Sequence, residues 1–307
     1  MSDKKNEIQT NNKLIGFAFA LLATALWSGN FVVARGWSAE IHPFSLAFYR
    51  WTVAVLVFTP FALNSVRRDW KAIRAKLPYL AITALLGVST FNTLIYFAGR
   101  STTAINLSLI ALTFPIFILI LSSLLFKEKI TLKKSLGILI VLVGVLSIIS
   151  QGQLSRLLQL SFHPGDPLML MAAFTFSIHS MLLKRKPAAI SVISLQYMTF
   201  LIGLVILLPF YLVNKSLQTE PEIITMPIFA SILYIGICAS LISFVSWNKA
   251  IEKIGAPSAG MIYFLLPLFS GIAAWVFLGE HLQVYHFISA FLIVTGIMIG
   301  TRNIRAK

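Results

Sequence analysis

The sequence predicts an all-α integral membrane protein of ten transmembrane helices, arranged as two inverted five-helix repeats. Three observations carry that prediction: ten apolar runs of membrane-spanning length, a strong sidedness of the basic residues, and a second half that repeats the first. Composition points the same way, since 58% of the 307 residues are hydrophobic and 11% charged, with a mean hydropathy of +0.86. So little charge cannot cover a water-facing surface, whereas a bilayer accepts outward apolar side chains.

About 20 apolar residues suffice to cross a bilayer. The runs are Leu14–Val33, Phe44–Leu63, Leu77–Phe97, Ala104–Phe126 and Ser135–Ser150, then Leu168–Leu183, Val192–Val213, Pro227–Trp247, Ala256–Leu278 and Val284–Thr301. Polar residues 1–12 read as a disordered cytoplasmic tail that leads directly into a retained first helix, because no cleavage-site pattern follows a short apolar core. The remaining divisions are a first repeat at 13–150, an outer linker at 151–167, a second repeat at 168–301 and a tail at 302–307.

Basic residues set orientation. Of the 25 lysines and arginines, Arg35, Arg50, Arg100, Arg156 and Lys215 fall on one side and all others on the opposite side, so both termini are expected in the cytoplasm. The net charge of +15 is therefore read as topological and not as a nucleic-acid footprint, since the basic residues cluster between apolar runs. Cys238 stands alone, which excludes a disulfide framework.

The segment Ala104–Glu128 aligns with Ala256–Glu280 at a constant offset of 152, placing Pro115 on Pro267, Leu125-Phe126-Lys127-Glu128 on Phe277-Leu278-Gly279-Glu280, and, downstream, Gly144 on Gly296. Pro60-Phe61-Ala62-Leu63 matches Pro209-Phe210-Tyr211-Leu212 at an offset of 149. Each unit holds five spans, an odd number, so the second must enter the membrane from the opposite face. Inverted repeats are typical of secondary transporters, in which exchanging the conformations of the halves alternates access between the two sides.

Two stretches carry a resemblance to a known family. Ala25-Leu26-Trp27-Ser28-Gly29-Asn30-Phe31 is similar to the opening motif of the EamA-type, ten-helix branch of the drug/metabolite transporter superfamily. The proline-containing helices ending in Lys127-Glu128-Lys129 and Gly279-Glu280-His281 resemble that family's duplicated signature. The resemblance implies a multi-pass protein of the bacterial inner membrane that exports amino acids or other small metabolites.

Polar and aromatic residues at membrane depth mark the candidate pathway. Trp27 and Asn30 share a face of the first span, Ser89, Asn92 and Tyr96 one of the third, and Ser240, Ser243 and Trp247 the corresponding face of the eighth, at an offset of 151. Thr175 and His179 in the sixth and Tyr263, Pro267 and Ser270 in the ninth complete a cavity expected chiefly between spans 1, 3, 6 and 8. Packing, interfacial anchoring or helix–helix hydrogen bonding are the alternative readings of these residues. His179 is the sharpest of them, as a candidate for substrate contact or a coupling proton. Pro115 and Pro267 are expected to kink their helices as hinges, and Glu128 and Glu280 to cap or to pair with cations such as Lys127 and Lys129. Arg50 is expected to snorkel to the outer interface, or else to meet an anionic group.

The sequence shows no mid-membrane carboxylate pair, no Walker A motif, no H-E-x-x-H and no Cys/His cluster, so neither a cofactor nor a metal is expected. An intramembrane enzyme would require a nucleophile with a facing base. Adjacent His179 and Ser180 point about 100° apart on a helix and do not meet that requirement. The expected function is alternating-access transport of zwitterionic or neutral amphiphilic solutes, with a multidrug exporter of organic cations as the alternative. The expected partners are a small-molecule substrate and the lipid bilayer, without nucleic acid.

Overall fold

The computed structural model describes residues 2–150, 152–153, 155, 162–218, 221–269, 272 and 284–301. Among them the chain is helical throughout, with no strand. The helices are α1 (Ser2–Gly36), α2 (Pro43–Ala75), α3 (Leu77–Ser101), α4 (Ala104–Ala111), α5 (Thr113–Phe126), α6 (Leu132–Ser150), α7 (Asp166–Lys184), α8 (Val192–Leu217), α9 (Met226–Ile254), α10 (Ala256–Phe269) and α11 (Val284–Thr301). Eight segments among the described residues are long and apolar enough to cross a membrane, with α4 and α5 joined as one of them (Asn106–Phe126). The 19-residue α6 and the shorter apolar α10 accompany them.

Two boundaries differ most from the sequence reading. Helix α1 runs back to Ser2, through the segment expected to be disordered, because residues 2–12 contain no proline or glycine to stop it. Helix α2 continues twelve residues past Leu63 to Ala75, carrying Arg67, Arg68, Lys71 and Arg74 beyond its apolar stretch.

The prolines act in two ways. Pro60 and Pro209 lie inside unbroken helices, whereas Pro115 and Pro267 each follow a break by three residues. At the breaks the chain tightens to i→i−3 bonds: Leu112 N–H donates to Leu109 O (3.1 Å) and Leu265 N–H to Ile262 O (3.0 Å). The physical cause is the proline ring, which lacks an N–H and excludes the carbonyl four residues earlier, here Ala111 and Tyr263.

Helix α1 packs on α9 and α10, α3 on α7 and α8, α2 on α8 and α9, and α5 on α7 and α10. Helices α6 and α11 pack chiefly on each other, and their outward faces carry exposed Leu139, Val143, Phe287 and Phe291. Their contact is nearly backbone to backbone: a Cβ on Gly296 would lie 2.5 Å from Gly137 O, and one on Gly137 2.6 Å from Gly296 O. Small residues of this kind let membrane helices approach closely, which lipid cannot enforce by hydrophobicity. Gly296→Leu is expected to separate the pair and to cost about 1–3 kcal/mol, read as a lowered unfolding midpoint of the purified protein. An unchanged midpoint would show that the contact is dispensable.

Candidate functional site

An aromatic cluster fills the centre of the bundle. Trp27 of α1 has ring centroids of Trp247, Phe176, Phe244 and Tyr263 at 5.3, 5.5, 5.6 and 6.0 Å. Phe114 of α5 closes it against Tyr263 and Phe176 at 5.0 Å each, and Phe91 stacks on Phe176 at 4.1 Å. Edge-to-face and tilted contacts of this kind match the charge distribution of the rings. Six helices contribute, and Trp27, Trp247 and Tyr263 are all buried, so the predicted residues meet one another in a closed packing and not around an open chamber.

Two π-helical turns frame the cluster, Leu85–Thr90 within α3 and Ile237–Ile242 within α9. A π-turn widens the helix and releases carbonyls from the α-helical ladder. Trp51 Nε1–H donates to Val88 O at 3.1 Å, and Trp27 Nε1–H donates to Ala239 O at 2.9 Å. Val88 and Ala239 are 151 residues apart, the same offset as the polar stripes. His179, which stands 152 residues after Trp27, also reaches into the other half, to a carbonyl five residues before Val88: its Nδ1 lies 3.0 Å from Thr83 O, just before the first π-turn. A carbonyl only accepts, so Nδ1 carries the proton, and the buried Nε2 has no partner among the described residues. Gly87 admits that ring, since a Cβ there would fall 2.2 Å from His179 Nδ1.

Arg50 does not snorkel. It is fully buried, because groups from α1, α3 and α9 enclose the guanidinium. Its Nη1 donates to Asn30 Oδ1 and Tyr96 Oη, both at 2.8 Å, its Nη2 to Ala239 O at 2.9 Å and its Nε to Ser240 Oγ. The guanidinium also lies 5.1 Å from the Trp51 ring centroid. The sequence reading missed this centre because an arginine seven residues from a helix start looks interfacial. Burial by neighbouring helices is not visible along one chain segment.

The other predicted residues divide. Asn30, Tyr96 and Ser240 join Arg50. Ser89 donates to Gly203 O of α8 (2.9 Å), while Thr175 and Ser243 bond only their own helices, to Ala172 O and Cys238 O. Asn92 is buried with both amide atoms unpartnered among the described residues. Ser180 accepts from Trp247 Nε1 at 3.2 Å, which leaves it facing an indole and not the neighbouring histidine. Glu128 pairs with Lys184 and accepts from Ser122 Oγ (2.6 Å), not with Lys127 or Lys129: Lys127 takes the left-handed conformation that ends α5. Glu280 and Ser270 lie outside the described residues.

Two carboxylates clasp the ends of the bundle reciprocally. Asp69, late in α2, accepts from the Ser191 N–H that opens α8 (2.8 Å). Glu222, following α8, accepts from the His42 N–H that opens α2 (3.0 Å), with Gln218 (3.1 Å) and Lys215 (3.3 Å) beside it. Each satisfies orphan donors at a helix start of the other half. Burial raises the Glu222 carboxyl, but the bonds from His42 and Gln218 and the Lys215 charge outweigh it and hold it below its ordinary value. A depressed carboxylate stabilises fully above the unfolded pKa of about 4.3, and that stabilisation is lost as pH falls through the lower folded value. Amide protection factors at residues 42–46 are expected to hold down to about pH 5 and to fall below about pH 4. Glu222→Gln should weaken them already at neutral pH. Protection indifferent to both changes would remove the clasp from the account.

Comparison with known proteins matches the model of the EamA-like transporter family over residues 14–150 and 163–302. An uncharacterized transporter of Archaeoglobus fulgidus is 27% identical over 288 residues, covering 91% of this chain and 95% of its own. The uncharacterized transporter YyaM of Bacillus subtilis is 24% identical over 298 residues, covering 95% and 96%. A crystal structure with 19% identity superposes with a TM-score of 0.74 over 96% of this chain and 98% of that one, which speaks to the fold alone.

Proposed function

The chain belongs to the EamA-like transporter family, and on that premise we propose that it is a secondary carrier that moves small amphiphilic metabolites, amino acids first among them, by alternating access. The observation that carries this reading is the pair of matched contacts at the centre: Trp27 of α1 bonded to the π-turn of α9, and His179 of α7 bonded to α3 beside its π-turn. Repeat-related residues that each tie their own half to the π-turn region of the other suit a molecule whose halves exchange conformations.

The ten-span inverted repeat belongs to the same proposal. Exchanging each helix for the one about 150 residues further on turns the α1–α9 contact into α7–α3, α2–α9 into α8–α3, and α1–α10 into α7–α4. The reciprocal clasps of Asp69 and Glu222 and the breaks before Pro115 and Pro267 follow the same exchange and support hinge roles for the two prolines. The one-sided basic residues support a plasma-membrane orientation with both termini in the cytoplasm, and export follows from the family resemblance.

The test is counterflow in proteoliposomes across labelled amino acids, a nucleoside and a lipophilic cation. Saturable exchange of an amino acid is the expected result. Exchange of the cation alone would replace the substrate class, and flux that never saturates would sink the carrier mechanism.

A further inference from the structure

We propose that Arg50 is the carboxylate-binding residue of the transport site, so that the substrate is a small monocarboxylate with an apolar body; this rests on the carrier reading above. A charged side chain buried in a membrane bundle is costly unless a counter-charge meets it. Arg50 has four hydrogen-bond partners, Asn30, Tyr96, Ser240 and the Ala239 carbonyl, and all of them are neutral. The ion pairs of Arg68 with Asp69, Lys184 with Glu128 and Lys215 with Glu222 lie at the ends of the bundle, away from Arg50. The guanidinium is therefore solvated by dipoles that a carboxylate can replace, and its planar fork matches a carboxylate in two parallel bonds.

A second observation points to the same place. Asn92 lies one helical turn from Tyr96 on the same face of α3, and neither its Nδ2 nor its Oδ1 has a partner among the described residues. An unsatisfied buried amide costs about 1–3 kcal/mol, and it offers a donor for a carboxylate and an acceptor for an ammonium. A zwitterion would thus find both of its charges answered without a protein carboxylate at depth.

The apolar body has its wall alongside. Arg50 Nη2 and Trp27 Nε1 each lie 2.9 Å from the same Ala239 oxygen, so the guanidinium and the aromatic cluster meet at one atom. One cation in this hydrogen-bonded cluster matches a single negative charge better than a phosphate dianion, and it repels the organic cations of a multidrug exporter. At the end of the bundle nearest Arg50, exposed Arg35 and Arg100 line one cleft with Ser38 and Ala39, a positive surface suited to drawing anions in.

The experiment measures thermal unfolding of the purified full-length protein with leucine and phenylalanine, their amides, their decarboxylated amines and inorganic phosphate. The two amino acids are expected to raise the midpoint and the amides and amines to leave it unchanged. Asn30→Asp places a carboxylate against Nη1 within the protein. It is expected to raise the basal midpoint, to abolish the shift by amino acids and to reduce their counterflow at least about tenfold. Equal shifts by amides or amines, no shift by either amino acid, a shift by phosphate alone, or an Asn30→Asp protein that still responds would each overturn the proposal. Failure of the carrier reading looks different: the amino acids still shift the wild-type midpoint but no counterflow is seen. Counterflow of amides as fast as acids leaves the carrier standing and removes Arg50 from substrate recognition.

Discussion

Trp27→Ala is expected to abolish saturable exchange and to lower stability by about 3–5 kcal/mol. The ring touches four aromatic side chains from three other helices, and its indole N–H satisfies the Ala239 carbonyl released by the π-turn of α9. Removing it opens a cavity and leaves that oxygen with Arg50 as its remaining side-chain donor. Trp27→Phe separates the two effects. It keeps an aromatic ring in place and loses the N–H bond, worth about 1 kcal/mol. A phenylalanine variant that is nearly as stable as wild type but exchanges substrate slowly would place the indole bond in the transport cycle. An alanine variant as stable as wild type would mean that the cluster repacks without it. Unfolding midpoints and counterflow rates on the same preparations decide between these outcomes.

Gly87→Ala is expected to cost about 1–3 kcal/mol, large for the addition of one methyl group. The new Cβ would enter the His179 ring, which cannot retreat because it stacks on Phe176 at 5.3 Å and holds Thr83 O. The double variant Gly87→Ala/His179→Ala supplies the check. If the clash with the imidazole is the cause, the cost of the glycine change should vanish when His179 is already alanine, a coupling that a double-mutant cycle measures directly. Additive costs would mean instead that the π-turn itself requires glycine at position 87. The same series bears on His179, whose tautomer is set by the Thr83 carbonyl and whose buried Nε2 has no partner among the described residues.

Much of the molecule was legible from particular residues. Runs of apolar residues located the helices, since run length against bilayer thickness is a property of consecutive residues. Pro115 and Pro267 marked the breaks, because a proline acts on the carbonyl four residues before it. The family was legible in the Trp27 motif and the Glu128 segment, and the 152-residue offset paired Trp27 with His179 before either contact was known. The π-turns were not legible, since nothing in Leu85–Thr90 or Ile237–Ile242 separates a π-turn from an α-helix by composition. Phe114, Phe176 and Phe244 also passed unnoticed among 24 phenylalanines, where only their convergence distinguishes them.

By itself, then, the sequence determined the class of solvent, the helices, the breaks and the family, all of which depend on residues near one another in the chain. Tertiary structure alone decided which polar groups are buried and what they meet. Arg50 shows the difference: in the first turns of its helix it reads as an interfacial cation, and only the groups that α1, α3 and α9 bring to it make it the buried charge at the centre of the candidate site. Burial of a charge is set by everything packed around it, and those neighbours come from positions up to 190 residues away.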